Sequence, residues 1–288
     1  MSYLWRRKLC SNNFLFRYKT YRPEVIIGSL KLYHSGHTLS HTSKFVNRRY
    51  KVNTSKSTVY NWIREYEDIC SYSRKRKEHR QKHGLPLIKK ILFHHGDLRY
   101  HFCYHVGKLE GEHKYHGKIV DFIKSVPEIC PNELFDDTSN DAIRASSMDL
   151  EFSKEPRLYK TRNQACQLAE LSLKANRNRK KRHEEVEEFL LSCDTATIAT
   201  ELPVWYYDKA LETSVTGHID LVQLRSGKVF LLDYKPDAEN EYPLSQIYTY
   251  CRAFSYRTNT PLEKIRAAWF DENTYIEFDP AQIDMRCD

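Results

Sequence analysis

Hydrophobic positions change period along the chain. Between Arg22 and Ile69 they recur at helical spacing in three short segments separated by breaks. EVIIGSLKLYHSG groups Val25, Ile26, Leu30 and Leu32 near one stripe and stops at Gly36. TLSHTSKFVNRRY opens on Thr38, an N-cap candidate. NTSKSTVYNWIREYEDI offers capping residues from Asn53 to Ser57, then Val59, Trp62, Ile63 and Tyr66 at helical spacing. Farther on, YHFCYHV alternates as a strand does. ELPVWY (Glu201 to Tyr206) reads as a core strand, and GHIDLVQLRSGKVFLLDYK (Gly217 to Lys235) as two apolar strands around a Ser226-Gly227 turn. These patterns predict an α+β chain with an all-α front and a mixed sheet flanked by helices behind. Three regions are expected: a helical front over 1–72, a basic and histidine-rich connection over 73–158, and a sheet domain over 159–288.

Charge sharpens that division. Residues 1–118 hold 25 Lys/Arg against 8 Asp/Glu, a balance of +17, while the remainder carries −9. A basic front joined to an acidic back suits a polyanion-binding module attached to something else. Hydrophobic residues at 40% and charged residues at 29% suit a globular protein. No stretch approaches the roughly 20 apolar residues of a membrane span, and MSYLWRRKLC lacks a secretory core. The expected setting is cytoplasmic, associated with the nucleoid, with no membrane partner. Eight scattered cysteines with no C-x-x-C pair read as reduced core thiols.

Three short helices with small polar residues opening the third follow the logic of a helix-turn-helix, in which that end enters the major groove of DNA. Lys51, Asn53, Ser55, Lys56, Ser57, Thr58 and Asn61 are the candidate DNA contacts, with Trp62 assigned to the core. The segment resembles the helix-turn-helix at the front of many prokaryotic transposases and resolvases. A helical bundle that binds protein is the plainer alternative. SRKRKEHRQKHGLP, Ser73 to Pro86, reads as an exposed linker or phosphate-contacting arm, or as a plain solvated helix end. In the next region His94, His95, His101, Cys103, His105, His113 and His116 crowd together. His101 and His105 would lie about 13 Å apart along a strand, too far to share an ion without a bend. A polar hairpin with exposed histidines is expected there rather than structural zinc. Glu128 to Leu158 reads as connecting structure.

Two aspartates interrupt the apolar strands of the hairpin. If Ser226-Gly227 is a two-residue loop, Arg225 faces Lys228, and the same register sets Asp220 opposite Asp233 with Cβ atoms about 4.5–5.5 Å apart. Facing like charges destabilise a sheet unless a cation lies between them, and Mg²⁺ or Mn²⁺ takes such oxygen ligands. Lys235 shares a strand face with Asp233 and brings a positive charge. In the alternative, Asp220 is simply exposed and Asp233 pairs with Lys235 alone.

With GHID in front, LLDYK next and QIYTY behind, this region resembles the PD-(D/E)XK nuclease superfamily, in particular its RecB-like branch, over about 80 residues from Ala175 to Phe254. The resemblance implies a restriction-endonuclease-like fold. It implies that Asp220 and Asp233 bind Mg²⁺ or Mn²⁺ with the Tyr234 carbonyl, that Lys235 orients the attacking water, and that Gln246 and Tyr250 supply the motif that follows. It also makes His183, in KKRHEEVEEFLLS, a candidate ligand, and Glu187 a weaker one in competition with Glu184, Glu185 and Glu188. Two departures stand out: the second acid is Asp rather than Glu, and Ile219 precedes Asp220 where the superfamily name has Pro. KANRNRKKRH, Lys174 to His183, could guide a phosphate backbone, or be only the start of a surface helix.

The expected function is a metal-dependent deoxyribonuclease targeted by its helix-turn-helix and able to work as a homodimer. The alternatives are a non-catalytic DNA-binding regulator or recombination accessory, and a transposition endonuclease acting with an integrase partner.

Overall fold

The computed structural model describes residue 16 and residues 20–95, 98–136, 142–175 and 178–285. The helical front forms as its pattern predicts: α1 (Pro23–His34), α2 (Leu39–Tyr50) and α3 (Lys56–Glu65). Thr38 caps α2 by accepting from the His41 N–H, and Ser55 caps α3 by accepting from the Thr58 N–H. Asn47 fixes the bend between α2 and α3. Its side-chain amide donates to the Thr54 carbonyl at 2.9 Å and its oxygen accepts from the Thr54 N–H at 2.7 Å.

The middle region departs from expectation. Ser73–His83 is a helix, α4, rather than a linker. Its buried Arg76 stacks over the Tyr33 ring at 3.7 Å and donates to the Tyr33 and His37 carbonyls, which locks it to the end of α1. Arg74, Lys75, Lys77 and Lys82 remain exposed. β1 (Ile88–His95) and β2 (Leu98–His105) form the expected hairpin. Its histidines are not uniformly exposed, however: His94 and His101 are, whereas His95 and His105 are buried. Alternation turns His95 inward on β1, and β2 is covered because it also pairs with the central sheet. α5 (Val106–Ile129) follows immediately, kinked at His116. Gly107, Gly111, Gly117 and Pro127 conceal this helix from a propensity reading. Nor is 128–158 mere connection, since β3 (Ala142–Arg144) joins the main sheet.

The rest comprises β4 (Phe152–Lys154), β5 (Tyr159–Thr161), α6 (Gln164–Leu173), α7 (Arg182–Cys193), β6 (Thr197–Asp208), β7 (Thr213–Arg225), β8 (Lys228–Tyr234), α8 (Leu244–Thr258), β9 (Ile265–Phe270), β10 (Tyr275–Phe278) and β11 (Asp284–Met285). β4 and β11 pair apart. The others described form one sheet in the order β1-β2-β6-β7-β8-β9-β10-β5, with β3 alongside β7. Pairing is antiparallel except between β3 and β7 and between β8 and β9.

The ladder on one side of β7 has a gap. β3 covers Ser214–Thr216, β8 covers Leu221–Arg225, and Gly217–Asp220 between them have no strand partner on that side. β3 runs parallel and β8 antiparallel to β7, so both strands direct their C-terminal ends at this opening.

Side-chain alternation splits the apolar residues between the two faces of the sheet. Val222, Leu224, Val229 and Leu231 pack with Ile119, Val120 and Ile123 of α5 and Ile247, Cys251 and Phe254 of α8. Leu221, Leu232, Tyr234, Ala268 and Phe270 pack with α6 and α7, and the same cluster continues into Val25, Ile26 and Leu30 of α1 and Val59, Trp62 and Ile63 of α3. One core therefore crosses the boundary expected near residue 72. The six described cysteines are free thiols, five of them buried. Cys10 and Cys287 lie outside the described residues. No helix among the described residues is long and apolar enough to cross a membrane.

Lys108 of α5 anchors this arrangement. Its buried ammonium donates to the carbonyls of Leu191 and Asp194 at the end of α7 and of Thr197 at the start of β6, beneath the Tyr72 ring. Burial draws its pKa down to about 7. Lys108→Met should destabilise the fold by about 3 kcal/mol, because it strands buried carbonyls without a donor. Chemical denaturation with an unchanged m-value would register this loss.

Candidate metal centre

Ser226 and Gly227, at φ 50° and 74°, form a tight left-handed turn. Arg225 faces Lys228, and the register runs without a slip to Leu221 opposite Leu232. The next positions in that register are Asp220 and Asp233. Here the ladder stops, and the first free backbone donor beyond it, the Tyr234 N–H, gives its hydrogen bond to Asp220 Oδ2 at 2.8 Å. The strands part and their carboxylates stay buried, Asp220 at 9% and Asp233 at 2% exposure.

The company of each acid differs from the expected shared pair. Oxygens of Asp220, Glu187 and Glu201 all lie within 4.8 Å of one another. Asp233 is not in that group; Lys235 Nζ is 2.8 Å from its Oδ2, an ion pair that leaves this oxygen without a well-aligned hydrogen bond. Thus Asp220 has two acidic neighbours, while Asp233 has the cation.

α7 brings two residues to Asp220. His183 Nε2 lies 3.6 Å from Asp220 Oδ2, and its ring reaches the Tyr234 carbonyl. Glu187, one turn on, points the same way. Its rivals are occupied elsewhere: Glu185 and Glu188 with Lys31 of α1, at 3.2 and 2.6 Å, and Glu184 with Lys90 at 4.0 Å. Of the basic run before α7, Arg182 binds Glu272 and the Tyr234 hydroxyl, whereas Asn176 and Arg177 lie outside the described residues.

Glu201 is the residue that sequence reasoning missed, although it heads the strand ELPVWY. The β6–β7 register pairs Thr200 with Leu221 and Leu202 with Ile219, which places Glu201 against Asp220. Its φ of 51° is left-handed, a conformation costing a non-glycine residue about 1–2 kcal/mol. An acid at the head of an apolar strand was the available signal.

Gln246 and Tyr250 of α8 stand together as the motif implied, with Gln246 Nε2 donating to the Tyr250 hydroxyl at 2.8 Å. The Tyr250 ring crosses Gly217 so closely that a Cβ there would lie 2.4 Å from it, hence the glycine of GHID. Both residues line a cavity of about 200 Å³ together with Glu201, Asp220, His218, Tyr100 and Arg144. The candidate DNA contacts lie elsewhere, on and before the first turn of α3. Lys51, Asn53, Ser55, Lys56, Ser57 and Asn61 are exposed and Thr58 half-buried, while Trp62 is core.

Burial lifts every carboxyl in the cluster. Asp220 rises to about 6, restrained by the Tyr234 N–H and Lys235. Asp233 rises to about 7 through burial and the Asp220 charge. Glu201 rises to about 8 through burial and both aspartates, and Glu187 is raised well above the carboxylate range by burial and then Glu201. Glu187 Oε1 is buried with no hydrogen-bond donor. Convergent acidic oxygens with an unsatisfied lone pair suit a hard divalent cation such as Mg²⁺ or Mn²⁺. No protein-family model, curated protein or solved structure matches the chain.

The raised carboxyl pKa values make stability depend on pH. The folded state keeps these protons up to about pH 6–8, whereas unfolded Asp and Glu release them near about 4. The folded chain binds more protons in that window, so stability falls as pH rises through it. In EDTA, the Tm should drop between pH 5 and pH 8. Mn²⁺ should restore it, most strongly at pH 8, where the ion no longer competes with protons. Asp220→Asn should flatten the EDTA profile and lose the Mn²⁺ gain, both readable by differential scanning fluorimetry.

Proposed function

We propose that the protein is a metal-dependent DNA nuclease whose α2–α3 unit brings DNA to a centre at the split end of the β7–β8 hairpin. The observation that carries this reading is the convergence of Glu187, Glu201 and Asp220 on one point beside the Asp233–Lys235 pair. Asp220, Glu201 and Glu187 would hold Mg²⁺ or Mn²⁺, with His183 beside Asp220 and Asp233 across the hairpin end. When bound, the ion would lower the pKa of a coordinated water and offset the charge of the scissile phosphate.

The chain's own groups have distinct tasks. Lys235 stays protonated: burial disfavours its charge, but Asp233, and more weakly Asp220, more than compensate and raise its pKa. It therefore orients the attacking water and steadies charge on phosphate oxygen as a donor, and does not serve as the base. Gln246 and Tyr250 wall the approach. The attacking water gives up a proton to solvent, its oxygen forms the new bond to phosphorus as the bond to the 3′ oxygen breaks, and that 3′ oxygen takes a proton from solvent.

Asp220→Asn, Asp233→Ala and Lys235→Ala should each slow cleavage of plasmid or linear DNA by a factor on the order of 10²–10³ or more while DNA affinity stays within a few-fold. EDTA should stop the wild type. Undiminished cutting by the Asp233 or Lys235 variant in Mg²⁺ would overturn the assignment.

Targeting separates from chemistry at α3. Replacing Lys56 and Asn61 with Ala should weaken DNA binding and lower the salt slope of log K by about 1, for the one lost phosphate-contacting cation. Turnover at saturating DNA should be unchanged. Titrations at several salt concentrations would check this.

A further inference from the structure

Arg144 ends β3 opposite Thr216, on the far side of the gap from the hairpin. Four residue steps along β7, about 13 Å of extended chain, lead from Thr216 to Asp220. β3 runs toward the gap, so Arg144 approaches the cavity from one side while β8 brings Asp233, its last residue but one, to the other. Among the described residues lining that cavity, Arg144 is the only lysine or arginine, and it shares the lining with Glu201 and Asp220. His218 on the same lining is held in place by its neighbours. His218 Nε2 is 2.8 Å from His95 Nδ1, His95 Nε2 is 3.2 Å from Asn132 Oδ1, and Tyr100 stacks on the His218 ring at 3.8 Å.

A polyanionic strand nearing these acids meets repulsion from Glu201 and Asp220, so a positive group on the wall is needed to seat it. A guanidinium presents a planar fork matched to phosphate oxygens. At about 200 Å³ the cavity is smaller than the roughly 300–1,000 Å³ of pockets that enclose whole small molecules. That size suits a stretch of backbone passing through. We propose that Arg144 binds a phosphate adjoining the scissile one, making this cavity a subsite for the substrate's backbone. The assignment rests on the nuclease reading above and adds to it the group that positions the strand.

The test compares wild type, Arg144→Ala and Arg144→Lys on short single- and double-stranded oligonucleotides in Mn²⁺. Arg144→Ala should raise KM on the order of tenfold with kcat changed only a few-fold, and Arg144→Lys should fall between it and the wild type. The Tm gain from Mn²⁺ should survive in both variants. Unchanged KM, or a fall in kcat alone, would overturn the subsite while leaving the nuclease intact; so would loss of the Mn²⁺ gain in folded Arg144→Lys. A wild type that cuts nothing would overturn the nuclease reading instead. Anisotropy of a labelled oligonucleotide in Ca²⁺ then judges Arg144 by itself: tenfold weaker binding by Arg144→Ala upholds the subsite, and equal binding ends it. Should Arg144→Ala fail to fold, Arg144→Lys and Arg144→Gln carry the same comparison.

Discussion

The incomplete ladder along β7 is the constraint on which the site depends. A central strand normally spends every backbone donor and acceptor on its neighbours. Here β3 leaves at Thr216 and β8 joins at Leu221, so Gly217–Asp220 face an opening on one side. Asp220 closes part of it by accepting from the Tyr234 N–H, which holds its carboxylate at the mouth of the split. Glu201 meets it from β6 through a left-handed backbone, and the Tyr250 ring covers Gly217. A fully paired strand at these positions would leave no cavity for a substrate.

Around that opening the electrostatics are unbalanced. Among the described residues, four buried or nearly buried carboxyls gather beside one lysine and one half-exposed histidine, with Arg144 on the far wall. Burial of like charges without compensation is costly, and the carboxyls respond by keeping protons above their usual range. A divalent cation at the same oxygens would remove that penalty by taking the place of the protons. The same imbalance makes Lys235, held by Asp233, a lasting positive group, and it gives Arg144 a reason to sit on the opposite wall.

The helical front is built into the sheet region. α1 and α3 share a core with α6, α7 and one sheet face, and Lys31 of α1 grips Glu185 and Glu188 of the helix that carries His183 and Glu187. Apolar packing and a partly buried ion pair thus tie the candidate DNA-reading helices to the helix that carries His183 and Glu187. Lys108 fastens the far end of α7 and the start of β6 from the opposite side of the sheet.

Short-range rules made much of this readable from residues alone. Period and caps located α1–α3, with Thr38 and Ser55 as the caps, because capping is a contact between near neighbours. A two-residue turn sets its own register, so Ser226-Gly227 fixed the pairing as far as Leu221 with Leu232, whereas the facing of Asp220 and Asp233 expected next gives way to a split in which Asp220 takes the Tyr234 N–H. The i, i+4 spacing put His183 with Glu187 and Gln246 with Tyr250. Other features needed the fold. Four glutamates share the first turns of α7, and only packing against Lys31 and Lys90 decides that Glu187 alone turns to Asp220. An acid in an apolar strand marks Glu201 as unusual, but that it reaches Asp220 depends on a strand pairing and a left-handed backbone that local sequence does not show. α5 hides behind its glycines, and Arg144 owes its place to a three-residue strand joined to β7 some seventy positions away. Contacts between residues close in the chain follow from local geometry, whereas those between distant residues exist only after the sheet has chosen its neighbours.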